Sequence, residues 1–222
     1  MVEVIPAILE KDFGEIEKKI HLVEKFVSWI QIDIADGTLV PNETFTDSQA
    51  FAALKTPAKL ELHMMVKDPL RYLENFAKVG FKRFYAHVEG DYVDEYIEQA
   101  YKLGVEVGLA IDGPTDFEKI HKFIIHLDGV LVMAIDAGFS GRPYREDTVE
   151  KIKKIREIDM DIPITVDGAM NPENAKKVLS SGATRINANS YIFSSPDVSK
   201  AIQILGQADS SLRNPDKPPP QS

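Results

Sequence analysis

Eight times along this chain a short apolar run is followed by an amphipathic stretch with helical spacing, and the connections between them are short. The strand-like runs are Val2–Pro6, Ser28–Ile34, Lys59–Met65, Arg83–Val88, Val105–Ile111, Gly129–Ile135, Pro163–Val166 and Arg185–Ala188. The helix-like stretches are Phe13–Phe26, Thr44–Leu54, Pro69–Val79, Tyr92–Leu103, Asp116–Ile125, Glu146–Ile158, Pro172–Ser181 and Pro196–Leu205. Alternation of this kind implies a parallel sheet with helices on its faces. Gly129–Ile135 is almost continuously apolar, as a strand covered on both sides should be. Local punctuation agrees: Asp12 and Asn171 are placed to cap helices, and Gly80, Gly104 and Gly182 stand just past helix ends. Eight units fit a single-domain (β/α)8 TIM barrel over residues 1–206. A doubly wound open sheet is the structural competitor.

With 222 residues, 44% of them hydrophobic, the chain can bury one sizeable core. Residues 207–222 are rich in Ser, Pro and Asp and end Lys-Pro-Pro-Pro-Gln-Ser; they are expected to be a disordered tail with an extended triple proline. A net charge of -9 argues against a binder of nucleic-acid backbones. The absence of cysteine removes disulfides, thiolate metal sites and a Cys nucleophile. No apolar run reaches membrane length and no signal peptide is evident, so a cytoplasmic protein with no membrane partner is expected.

Trp29-Ile-Gln-Ile-Asp-Ile-Ala-Asp-Gly37 carries the sharpest chemical signal. Gln31 and Asp33 alternate with Ile30, Ile32 and Ile34, so the amide and the carboxylate share one face of a strand. A buried carboxylate is costly unless paired, metal-bound or at a wet strand end. In a barrel, functional groups gather at the carboxyl ends of the strands. Asp33, His63 and Asp167 then face one mouth, and imidazole with carboxylates is a plausible divalent-metal set. Gly138-Phe-Ser-Gly141, Asp167-Gly168-Ala169 and Asn187-Ala-Asn-Ser190 follow strands six, seven and eight, where barrels often cradle a phosphate. His87 and Glu89 read best as a hydrogen-bonded strand-end pair. His21, His121 and His126 read as surface groups, and Met64, Met65 and Met133 as core filler. No Lys falls at the carboxyl end of an expected strand, which disfavours Schiff-base chemistry.

From Ile5 to about Leu205 the chain resembles the ribulose-phosphate 3-epimerase family. The resemblance rests on Pro6-Ala-Ile-Leu-Glu-Lys-Asp-Phe13, Ile30-Gln-Ile-Asp-Ile-Ala-Asp-Gly37, Val40-Pro-Asn-Glu-Thr-Phe45, Leu62-His-Met-Met-Val66, Ala137-Gly-Phe-Ser-Gly141 and Val166-Asp-Gly168. It implies a TIM barrel that binds a phosphorylated sugar and interconverts ribulose 5-phosphate and xylulose 5-phosphate, or a related ketose phosphate. Asp33 and Asp167 would exchange protons at C3 through an enediolate. A divalent ion (Zn, Fe, Mn or Co) would sit on the positions matching Gln31, Asp33, His63 and Asp167. Met65 and Met133 would line the site, and the phosphate would meet the loops at Ser140, Gly141, Gly168, Ala169, Asn189 and Ser190. A homo-oligomer is compatible with this picture.

The departures cluster in the same place. The family's first-strand Ser is Glu10, its first metal His is Gln31, a Met before the Asp-Gly turn is Ala35, its second Gly after the seventh strand is Ala169, and the Gly of its Gly-Ser is Asn189. The loop after strand six becomes Asp136-Ala-Gly-Phe-Ser-Gly-Arg142, where Arg142 supplies a charged fork. A carboxamide is a poorer transition-metal ligand than imidazole, so weak or absent metal binding is expected, with Glu10 as a substitute ligand. Two readings follow: an epimerase of altered metal demand, or a degenerate member that binds a sugar phosphate or a protein partner without turnover.

Overall fold

The computed structural model describes residues 2–208. Its eight strands are β1 (Glu3–Ile8), β2 (Trp29–Ala35), β3 (Lys59–Met65), β4 (Arg83–His87), β5 (Glu106–Ile111), β6 (Gly129–Met133), β7 (Ile164–Asp167) and β8 (Arg185–Ala188). All pair in parallel in chain order, and β1 closes on β8 with Glu3 opposite Arg185. The structure is therefore the closed (β/α)8 barrel and not the open sheet. Its helices are α1 (Phe13–Val23), α2 (Leu70–Lys78), α3 (Val93–Lys102), α4 (Glu118–His121), α5 (Thr148–Ile158), α6 (Pro172–Ser180), α7 (Ser190–Phe193) and α8 (Val198–Gln207).

The helices begin where short polar side chains satisfy their first amides. Asp12 accepts from the Glu15 amide at 3.1 Å, and Asn171 accepts from the Asn174 amide at 3.0 Å ahead of Pro172. α1 then turns Ile16, Ile20 and Val23 onto the barrel, all buried. Burying each such side chain contributes roughly 1.5–3 kcal/mol. Outward strand residues such as Ile30, Ile32 and Ile34 join that same layer between sheet and helices.

Inward residues build a second, smaller core of Ala35, Met65, Tyr85, Ala110, Leu131, Met133 and Ile135. Below it the lumen is polar. Arg83 donates to Glu61 and to Glu106, each at 2.6 Å, and its guanidinium lies 3.7 Å from the Trp29 ring centre. Tyr85 fills the next layer, with its hydroxyl 3.2 Å from Thr165 Oγ1. Gly108 and Gly129 leave the room that this ring occupies.

Two stretches differ from the expected elements. The helix expected over Thr44–Leu54 is a 3-10 turn from Ser48 to Ala53. Thr44 is spent elsewhere: its hydroxyl donates to the Asp33 carbonyl and accepts from the Ala35 amide, holding the chain extended across the end of β2. Phe51 then plugs the turn against Phe13, Phe76 and Phe81. The helix expected over Asp116–Ile125 breaks into α4 and a 3-10 turn over Ile124–His126. Its buried residues include Phe117, Ile120 and Phe123, a three-residue spacing that suits the tighter helix. The last helix ends at Gln207, and the tail from 209 onward lies outside the described residues.

A Cβ on Gly108 would overlap the Tyr85 ring, and that ring is fully buried. Gly108→Ala should cost about 1–3 kcal/mol, read as a lower urea midpoint with an unchanged slope. An unchanged midpoint would show that the lumen yields more easily than this packing allows.

Candidate active site

The alternation of β2 places Gln31 and Asp33 inside the barrel, and the strand register does the rest. Asp33 pairs with His63 on β3, and Asp167 on β7 pairs with Asn187 on β8. All five side chains are buried. A cavity with about 570 Å³ of empty space, counting its open mouth, sits above them. Asp33, His63, Met65, Met133, Ser140, Gly141, Asp167, Gly168, Ala169, Asn187, Asn189 and Ser190 are in its wall.

Gln31 lies under the two carboxylates. Its Nε2 donates to Asp33 Oδ1 at 2.7 Å and to Asp167 Oδ2 at 2.6 Å, while its Oε1 accepts from Asn187 Nδ2. His63 Nδ1 stands 3.0 Å from Asp33 Oδ1 and 4.0 Å from Asp167 Oδ2. Burial pushes Asp33 up to about 7, against the lowering hydrogen bond from Gln31. Burial also raises Asp167 to about 7, helped by the Asp33 charge beside it. Burial, then the neighbouring His87, holds His63 down at about 3, so its ring is neutral.

A relay of hydrogen bonds runs outward from His63. Its Nε2 is 2.8 Å from His87 Nε2, and His87 Nδ1 is 2.9 Å from Glu89 Oε2. Burial alone would raise Glu89, but hydrogen bonds led by that from His87 bring it down to about 2, so it is an acceptor. Glu89 accepts, so His87 Nδ1–H donates to it, and one of the facing Nε2 atoms of His63 and His87 carries the hydrogen between them. A carboxylate behind an imidazole is the usual way a metal-ligating His is oriented.

Asp33, His63 and Asp167 bring three potential ligand atoms together, within 4.8 Å of one another. Two carboxylates and a neutral imidazole offer the oxygen and nitrogen donors that suit a divalent cation. Glu10 is not part of this set. Its carboxylate is taken by Lys19 at 2.6 Å, and it does not line the cavity, which removes the structural basis for a substitute ligand. Arg142 also stands outside the wall, over the Phe139 ring and 3.7 Å from Asp136. Met65 and Met133 face the cavity, whereas Met64 belongs to the outer core.

Ala169 holds a left-handed backbone with φ of 52°, next to Gly168 at 100°. Asn174 steadies that turn by donating to the Ala169 carbonyl at 2.8 Å. The sequence places Asn187 in the stretch after strand eight that suits a phosphate, not beside the carboxylates. The missing signal was register: only pairing of β7 with β8 sets Asn187 beside Asp167 and Gln31.

The family model described as the Ribulose-phosphate 3 epimerase family matches residues 3–193. A ribulose-phosphate 3-epimerase of Bacillus subtilis is 32% identical, with 92% of this chain and 98% of the relative covered. A ribulose-phosphate 3-epimerase of Synechocystis is 30% identical, over 99% of this chain and 96% of the relative. Among solved structures, KGPDC from Streptococcus mutans superimposes with a TM-score of 0.73 at 12% identity, covering 96% of this chain and 100% of that one. At that identity the likeness concerns the fold.

The raised carboxyls set a pH dependence. Below the ordinary carboxylate range both folded and unfolded chains hold these protons. Between there and about 7 only the folded chain keeps them, so stability falls as pH rises through that window. In cation-free protein the urea midpoint should therefore drop from pH 5 to pH 8. Buried Glu61 acts with the same sign and His63, whose value is lowered, with the opposite one, so the three raised carboxyls set the net fall and the contrast with Asp33→Asn isolates the site. The variant should show a smaller drop; an equal drop would contradict the assignment.

Proposed function

The chain belongs to the ribulose-phosphate 3-epimerase family, and from that premise we propose that it epimerises a ketose phosphate at C3, with ribulose 5-phosphate and xylulose 5-phosphate as the first pair to test. The observation that carries this reading is the pair of buried carboxylates, Asp33 and Asp167, on strands far apart in sequence, in the wall of one cavity and joined by a single amide nitrogen.

Epimerisation needs a proton removed from one face of a carbon and another delivered to the opposite face. Two carboxyl groups raised to about 7 suit both halves, because each exchanges its proton readily near neutral pH. In the starting state one of the pair is ionised and the other protonated. The ionised one takes the C3 proton, and the protonated one returns its own from the other side. The carboxylate that gained a proton then stands ready for the reverse reaction. Gln31 holds the two groups in place while no cation is bound. Asp33, His63 and Asp167 would hold a divalent cation, which would supply charge stabilisation for an enediolate. Its identity among Zn, Fe, Mn and Co is part of the proposal. Met65, Met133 and Ile135 keep the reacting end dry. The phosphate goes to the loops of the same cavity, where Ser140, Gly141, Gly168, Ala169, Asn189 and Ser190 are in the wall.

A second reading keeps the sugar phosphate but not the turnover. It is favoured by Gln31, whose amide group engages both carboxylates at once. Incubation with ribulose 5-phosphate in D2O separates the two. The epimerase reading predicts xylulose 5-phosphate with deuterium at C3. Asp33→Asn and Asp167→Asn should each lower the rate by about 10²–10⁴-fold. Calorimetric binding of the sugar phosphate with neither product nor exchange, at any cation supplied, would leave the binding reading and end the other.

A further inference from the structure

Asn187 is fully buried, and its Oδ1 has no hydrogen-bond partner among the described residues, while its Nδ2 serves the Gln31 carbonyl oxygen and lies 3.4 Å from Glu61 Oε1. Gln31 is fully buried as well, and both of its amide hydrogens go to carboxylates. The two carboxamides are hydrogen-bonded as a pair, so the direction of one dictates the direction of the other. In the arrangement described, Gln31 is a donor to Asp33 and Asp167 and offers a cation nothing. Oxygen and nitrogen of a carboxamide occupy nearly the same volume, so reversing both groups costs no space.

We propose that Asn187 is a positioning residue that sets which end of Gln31 faces the carboxylates, and that cation binding and reversal of this amide pair are one coupled event. The inference rests on the cation site of the preceding reading. In the reversed pair Gln31 Nε2 donates to Asn187 Oδ1, which gains the partner it lacks, and Gln31 Oε1 joins Asp33, His63 and Asp167. The reversal gives up the long donation to Glu61 and turns Nδ2 to the place where Oδ1 had no partner, a cost that binding of the cation must offset. Four acceptors facing one point are tolerable only around a cation. Two carboxylates with no cation are held better by the amide nitrogen. Each arrangement therefore suits one state of the site, and a ligand that prefers one arrangement shifts the pair toward it. The hydrogen bonds of Asn187 go to Gln31 and Glu61, so its effect on the carboxylates runs through Gln31.

Binding of Co2+ to the full chain, read by calorimetry and by the visible d–d spectrum, tests this without reference to turnover. Asn187→Leu keeps the size but can neither donate nor accept. It should weaken Co2+ binding by about tenfold, the lower end of the effect of removing a residue that orients a ligand, and it should alter the spectrum. Gln31→Glu presents an acceptor whichever way it turns. In that background Asn187→Leu should change the affinity by less than about threefold. A second measurement needs no substitution at Asn187: the side-chain amide resonances of Gln31 and Asn187 should both move on titration of the parent chain with Zn2+. Parent affinity and spectrum in Asn187→Leu, an equal loss in the Gln31→Glu background, or unmoved amide resonances at saturating Zn2+ would overturn the role of Asn187. A parent chain that binds no Co2+ would instead overturn the cation site itself, and this proposal with it.

Discussion

Two carboxylates held close together in a dry lumen repel each other, and the interior of this barrel is arranged around containing that repulsion. Asp33 and Asp167 are both buried and both raised. Water cannot stabilise their charge there, so the protein supplies hydrogen-bond donors, shares protons or recruits a cation. Gln31 provides two hydrogens from one nitrogen, and Asn187 holds Gln31 from below. Glu61 and Arg83 continue the polar column to the floor, where Trp29 closes it. A lumen filled only with aliphatic side chains would pack more simply. It would also leave the acid pair without support and force both groups to stay neutral.

The same constraint explains the imidazoles. His63 is kept neutral by burial, and the His87–Glu89 pair lies hydrogen-bonded behind it. Its Nδ1 then faces the carboxylates rather than the wall. The outer layer has a separate task. Ile30, Ile32 and Ile34 alternate with Gln31 and Asp33 on one strand, so burial against the helices fixes the facing of the polar residues without touching them. A slip of β2 by one residue would turn the carboxylate outward and an isoleucine inward, at a large cost on both faces. Stability of the shell and placement of the chemistry are thus enforced by one periodicity.

Much of this is readable before any coordinates exist. The repeated strand–helix spacing implies the barrel, and alternation alone puts Gln31 and Asp33 on a common face. Asp33, His63 and Asp167 could be gathered from the rule that barrel strands present function at their carboxyl ends. What escapes such reading depends on which strand lies beside which, and at what offset. Asn187 is an ordinary polar residue until β8 is set against β7. Glu10 reads as a strand-end acid until Lys19, on the helix that follows, takes it. Thr44 reads as the start of a helix until its hydroxyl is seen tying down the end of β2. Each of these is a tertiary contact overriding a local preference, and local patterns carry no record of it.

The central claim is that Asp33 and Asp167 serve opposite faces of one carbon. Solvent exchange at C3, measured separately from each epimer with Asp33→Asn and with Asp167→Asn, tests it most directly. Each variant keeps one base, so each should wash the C3 hydrogen out of one epimer only, and the two variants should act on opposite epimers. Exchange from the same epimer in both variants, or interconversion at the parent rate in either, would contradict the account.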